Sequence, residues 1–110
     1  MIVSRPWGNF KVLSENERTT IKLITMKAGH RTSLQFHNKR TERWVVIQGR
    51  GTAIIQDTKF SLKDGDEVTI ARENPHRLEA ITDLIVIEVS YGTFEEEDIV
   101  RLEDDYCRVF

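Results

Sequence analysis

Four residues of this 110-residue chain have the types and spacing that hold a metal ion. Gln35 and His37 are two apart, so on a strand both side chains leave the same face. Asn38, Lys39, Arg40 and Thr41 read as a turn, and Glu42 opens the returning strand, which a hairpin sets beside His37. His76 follows the turn-like segment 71–75 and precedes another strand. If that strand neighbours the hairpin, it supplies a second imidazole. Two imidazoles, a carboxylate and an amide oxygen suit a borderline divalent ion: Zn, Fe(II), Mn, Co or Ni. Four protein ligands leave two positions of an octahedron open, enough for a substrate hydroxyl and carbonyl together. Thiolate coordination is excluded, because Cys107 is the only cysteine. A histidine on a strand also serves as a structural hydrogen-bonding group, and spacing alone does not separate the two roles.

The elements that must position these residues read as strands almost throughout. Segments 20–26 and 84–89 are short, β-branched and apolar, and 44–48 and 52–56 read the same way. Turn chemistry separates them, at Ala28-Gly29, Asn38-Lys39, Gln48 to Gly51, Asp57-Thr58 and Asp64 to Asp66. This spacing without intervening helices predicts an all-β sandwich or barrel. Thr93 with Glu96 reads as a capping box for one or two helical turns near the C-terminus. The acidic run 95–98 reads as a solvated face. Alternation puts Ser33, Gln35 and His37 on one face, and Glu42, Trp44 and Val46 on one face of the next strand. Several strands carry apolar groups on both faces, which implies a second covering layer, most economically another copy in a homodimer.

Composition sets the class. With 31% charged and 39% hydrophobic residues the chain is globular, and its length is that of one domain. A lone cysteine permits no internal disulfide and fits a reducing compartment. The opening residues lack an apolar leader, and no stretch approaches the roughly 18 apolar residues of a membrane span. A cytoplasmic protein without a membrane partner is expected. Acids crowd residues 94–110 while the rest is modestly basic, which favours a small anion. No basic stripe interleaved with aromatics argues for nucleic acid.

Residues 29–49 resemble the first cupin motif, with Gly29, Gln35, His37, Glu42 and Gly49 on its positions. Residues 65–76 resemble the second, opened by Gly65 and closed by His76, with Ala71 and Glu73 where Pro and Gly usually stand. RPWG at 5–8, the stretch 33–46 and the stretch 87–108 together resemble the cupin domain of type II mannose-6-phosphate isomerases, which commonly follows a mannose-1-phosphate guanylyltransferase domain. Glutamine is usual in that family at the position of Gln35. Two departures stand out: Arg43 replaces a usual second histidine, and Tyr106-Cys107-Arg108 replaces a usual YGR.

The resemblance implies a single cupin domain over residues 1–110, a double-stranded β-helix or jelly-roll barrel, holding one divalent metal ion through Gln35, His37, Glu42 and His76. It also implies aldose–ketose isomerisation of a sugar phosphate, mannose 6-phosphate to fructose 6-phosphate. A general base is then required, and Glu67, Glu88 and Lys22 are the candidates on strand-like segments. Arg40, in the hairpin turn between two ligands, suits phosphate recognition or charge stabilisation. Trp7 and Trp44 read as core or barrel-lining aromatics, and Arg77 as a structural ion pair. Two other classes share the pattern: a metal-dependent oxygenase and a non-enzymatic sugar-binding or regulatory cupin.

Overall fold

The computed structural model describes residues 1–16, 18–92, 95 and 97–106. Eleven strands follow one another: β1 (Ile2–Arg5), β2 (Gly8–Glu15), β3 (Thr19–Met26), β4 (Leu34–Phe36), β5 (Arg40–Gln48), β6 (Gly51–Ile55), β7 (Thr58–Leu62), β8 (Glu67–Ile70), β9 (His76–Ala80), β10 (Leu84–Gly92) and β11 (Val100–Glu103). No helix occurs among the described residues, and the Thr93–Glu96 capping box lies outside them. Cys107 lies outside them as well.

The strands form two antiparallel sheets, ordered β1-β2-β3-β10-β5-β8 and β11-β4-β9-β6-β7. Alternation makes the central strands β3, β5 and β10 two-faced. Along β3, Thr20, Lys22, Ile24 and Met26 are buried; along β5, Arg40, Glu42, Trp44 and Val46; along β10, Leu84, Val86, Glu88 and Ser90. One apolar cluster joins both sheets, with Met26, Trp44, Val46 and Val86 from the first packed with Ala53, Leu78 and Ala80 from the second. Each such large apolar side chain contributes about 1.5–3 kcal/mol on burial.

The inward face changes character along its strands. Val86 and Leu84 fill one end of β10, whereas Glu88 and Ser90 continue the same face at the other. Val46 gives way to Glu42 and Arg40 in the same manner on β5. The apolar end holds the sheets together, and the polar end holds a cavity.

Backbone geometry fixes the turns that deliver the ligands. Gly49 has φ of 104°, and a Cβ there would sit 2.2 Å from the Asp83 carbonyl oxygen, so only glycine closes the β5–β6 turn. Glu73 has φ of 67°, the left-handed backbone that the usual motif glycine adopts freely. Its N–H donates to the His37 carbonyl at 2.7 Å, tying the two ligand-bearing segments together.

Candidate metal centre and its cavity

His37 follows β4, Glu42 lies on β5 and His76 opens β9, so the two sheets contribute jointly. One ligand atom from each lies within 4.8 Å of the others. The Nε2 atoms of His37 and His76 stand 3.3 and 3.2 Å from Glu42 Oε1. All three residues are at most 3% exposed.

Hydrogen bonds on the far sides of the rings set their tautomers. His37 Nδ1 lies 2.6 Å from the Asp98 carbonyl oxygen, and His76 Nδ1 lies 2.8 Å from that of Asn74. A carbonyl only accepts, so each Nδ1 carries a proton and each ring turns its Nε2 inward. Two imidazole nitrogens and a carboxylate oxygen thus face one another. Among the described residues, His76 Nε2 and Glu42 Oε1 have no hydrogen-bond partner. Buried polar atoms left this way are costly, and a cation between them removes the cost. The donor set and its orphaned atoms therefore fit a divalent metal ion.

Supporting contacts hold the ligands in place. Glu42 Oε2 accepts from Arg40 Nε at 3.2 Å and from Ser90 Oγ at 3.3 Å. Arg40 Nη2 also lies 3.3 Å from His37 Nε2, and Nη1 donates to the Glu95 carbonyl at 3.1 Å. Desolvation works against the Glu42 carboxylate, but the imidazoles of His37 and His76 outweigh it and hold it well below the usual carboxylate range. Asp98 is buried and caps the hairpin turn, accepting from the N–H groups of Asn38 and Lys39, both at 2.9 Å. Those bonds overcome its own desolvation and lower its pKa.

Beside the cluster lies a cavity of about 100 Å³, lined by Gln35, His37, Arg40, Glu42, Trp44, Glu88 and Lys22 among others. Gln35 is half-buried, and its Oε1 accepts from Ser33 Oγ at 3.2 Å. It sits in register opposite His76. Glu88 is the residue on β10 whose register partners are Lys22 on β3 and Trp44 on β5. Trp44 Nε1 donates to Glu88 Oε1 at 3.0 Å, and the same indole meets His76 edge-on at 5.6 Å. Desolvation, reinforced by the charge of Glu42, pushes the Glu88 carboxyl up to about 7.

Several expected residues stand elsewhere. Glu67 is exposed on β8 and pairs with Arg43 on the outer face, because its register partner Val45 points away from Trp44 and Val46. It does not line the cavity. Arg43, the departure from the family pattern, thus also faces away from the site. Arg40 is only 6% exposed and committed to Glu42, not displayed at the tip of a turn. Arg77 is buried, donates from Nε to the Thr32 carbonyl at 3.1 Å and pairs with Glu103 at 4.0 Å, in keeping with its reading as a structural ion pair. His30 is half-buried, with Nδ1 2.6 Å from the Tyr106 hydroxyl. Asp98 and Ser90 were not singled out as site residues. Ser90 shares the inward parity of Glu88, but Asp98 works from a loop through its backbone carbonyl and leaves no periodic signal.

Two antiparallel sheets closed around a polar cavity with a His-Glu-His cluster define a cupin barrel. The chain belongs to the mannose-6-phosphate isomerase C-terminal family, whose model matches residues 1–104. It is 38% identical over 109 residues to the alginate biosynthesis protein AlgA of Pseudomonas aeruginosa, covering 96% of this chain and 23% of that protein. It is 38% identical over 110 residues to the mannose-1-phosphate guanylyltransferase ManC of Salmonella typhimurium, covering 97% and 23%. The chain thus spans less than a quarter of these relatives' length. Among solved structures, KdgF from Halomonas sp. superposes with a TM-score of 0.82 at 16% identity, over 88% of this chain and 92% of that one. CapF of Staphylococcus aureus gives 0.82 at 18% identity, over 94% and 34%. These two likenesses concern the fold.

Proposed function

We propose that the chain is a metal-dependent aldose–ketose isomerase of sugar phosphates, acting on mannose 6-phosphate to give fructose 6-phosphate. The observation that carries this reading is the convergence of His37, Glu42 and His76 beside a cavity that also presents a buried carboxyl, Glu88. Membership of the isomerase C-terminal family supports it.

His37, Glu42 and His76 would hold the ion, with the Gln35 amide oxygen as a fourth ligand. Bound there, a divalent ion of the Zn, Mn, Co, Ni or Fe kind supplies Lewis-acid stabilisation of negative charge on the sugar oxygens. The remaining work falls to the chain. Glu88 takes the proton from C2 and returns it at C1 while the O2 hydroxyl proton passes to O1, and a carboxyl pushed up to about 7 suits both directions near neutral pH. Trp44 and Lys22 flank Glu88 and orient it. Arg40 holds the Glu42 carboxylate in place. Trp7, Phe10 and Ile24 line the same cavity and exclude water around the exchanging proton.

The outer face of the first sheet supports a homodimer. Ile21, Leu23, Ile85, Ile87 and Val89 are half-buried there and Ile47 is exposed, an apolar surface that a second copy would cover. Light scattering that gives twice the chain mass is the expected result. No helix among the described residues is long and apolar enough to cross a membrane, and a sugar-phosphate substrate would suit a cytoplasmic enzyme.

A coupled assay on protein reconstituted with each candidate metal tests the function, comparing mannose, glucose and other sugar 6-phosphates. Fructose 6-phosphate formation from mannose 6-phosphate is expected. Metal binding without turnover of any sugar phosphate would leave a sugar-binding module in its place.

A further inference from the structure

The two imidazoles of the metal centre are held by different kinds of partner. His76 Nδ1 donates to the Asn74 carbonyl, two residues back in its own turn, so that bond forms with the turn itself. His37 Nδ1 donates to the Asp98 carbonyl at 2.6 Å, sixty-one residues further along the chain. This second bond exists only while the segment that carries Asp98 is docked against the turn between β4 and β5.

Asp98 fastens that segment itself. Its Oδ1 accepts from the N–H of Asn38 and its Oδ2 from that of Lys39, both at 2.9 Å. One residue thus grips three consecutive ones, His37, Asn38 and Lys39, through its carbonyl and both carboxylate oxygens. Asp98 is 8% exposed, and bonds from N–H groups to a carboxylate are stronger than those to a neutral acceptor. Its own N–H donates to the Glu95 carbonyl at 3.0 Å, and the Ile99 N–H donates to that of Glu97 at 2.8 Å. Contacts on either side extend the grip. The Glu95 carbonyl accepts from Arg40 Nη1, and its carboxylate pairs with Lys39 Nζ at 3.0 Å. Val100 and Arg101 pair in register with Phe36 and Gln35. Glu95, Asp98, Val100 and Arg101 therefore lie along residues 35–40, and the Asn38–Lys39 turn links His37 to the strand of Glu42. The place of that turn decides how His37 Nε2 stands against Glu42 Oε1, 3.3 Å away.

We propose that Asp98 is a positioning residue of the metal centre: its carboxylate docks segment 97–101 on the turn at 38–39, its carbonyl thereby aims His37 at the ion, and docking and metal occupancy are one linked event. A ligating histidine depends on the partner of its other nitrogen, and loss of such a partner costs about 10–100-fold in metal affinity. Linkage is reciprocal, so the affinity lost on undocking returns, when the ion binds, as protection of the docked segment. The inference rests on the metal centre of the proposed function and not on isomerisation.

Calorimetric titration with zinc tests the linkage on wild type, Asp98→Ala, Asp98→Asn and, as an exposed control in the same segment, Glu97→Gln. Asp98→Ala should bind zinc about 10–100-fold more weakly than wild type, and Glu97→Gln should match wild type. Asp98→Asn keeps one acceptor oxygen for the turn and should recover part of the loss. Amide hydrogen exchange of wild type gives the reciprocal reading: saturating zinc should slow exchange at the Asp98 and Ile99 amides about tenfold or more. Far-UV circular dichroism and urea melts check folding. If Asp98→Ala fails to fold, Asp98→Asn and the wild-type exchange rates decide the matter. A lowered urea midpoint with wild-type zinc affinity in the folded variants would make Asp98 a structural cap alone and overturn the proposal, while leaving the metal centre standing. Exchange at the two amides unchanged by zinc would overturn it as well. Absence of stoichiometric zinc from wild type would remove the metal centre and the linkage together.

Discussion

Trp44 and Glu88 are bound across neighbouring strands, the indole N–H donating to the carboxylate at 3.0 Å in the middle of the barrel. The same indole meets His76 in a T-shaped contact. One side chain therefore holds the candidate base and buttresses the candidate metal centre. Trp44→Phe keeps an aromatic ring against His76 but removes the donor. It should cost about 1–3 kcal/mol of stability and move the acid limb of the kcat profile upward, since the Glu88 anion loses its hydrogen bond. An unmoved acid limb would show that Glu88 is not the group that titrates in turnover.

Glu88 itself makes stability depend on pH. Its pKa rises from 4.5 in the unfolded chain to about 7, chiefly by desolvation. The folded state holds this proton more tightly, so the stabilisation is full below the lower value and declines as pH rises through the higher. Between these limits metal-free wild type should lose roughly 3 kcal/mol relative to Glu88→Gln. Urea melts of the two proteins across that range provide the comparison, and parallel stability curves would contradict it.

Metal affinity should depend on both imidazoles. Titrating Zn, Mn, Co and Ni into apo protein should raise the thermal midpoint, with roughly 2.7 kcal/mol gained at a hundredfold excess over Kd. His37→Ala and His76→Ala should each lower affinity by a large factor, and acidification should do likewise, because a ligating imidazole must be neutral. A tightly bound ion retained by both variants would place the ligands elsewhere.

Glu73 offers a stabilising change. Its left-handed backbone costs about 1–2 kcal/mol in a residue with a Cβ. Glu73→Gly should recover about 1 kcal/mol, read as a higher urea midpoint at unchanged slope, provided the N–H bond to His37 persists. A lower midpoint would mean that the side chain contributes more than the backbone loses.

Periodicity made the barrel and the inward set of β5 readable, because an alternating strand buried on one side announces its faces. Glu42, Trp44 and Val46 were assigned together for that reason, and the structure buries all three. Register is not written in a single strand. Glu67 and Glu88 both read as acids on short strands, and only the partners decide between them: Val45 takes Glu67 outward, while Lys22 and Trp44 take Glu88 inward. Asp98 was read as part of a solvated acidic run, which holds for exposed Glu95 and Glu97. Its burial follows from the N–H groups of a turn some sixty residues earlier, a long-range contact that composition does not encode.

The lengths of the outermost strands carry a last consequence. β1, β8 and β11 have four residues each and β7 has five, against nine in central β5 and β10. Each edge also bears charge, with Arg5, Glu67, Arg101 and Lys59 among its residues. Such stubs present few unpaired backbone groups, and charge discourages a foreign strand from adding to them. The barrel is thereby guarded against edge-to-edge polymerisation and amyloid-like stacking at high concentration, even though its interior strands are rich in isoleucine and valine.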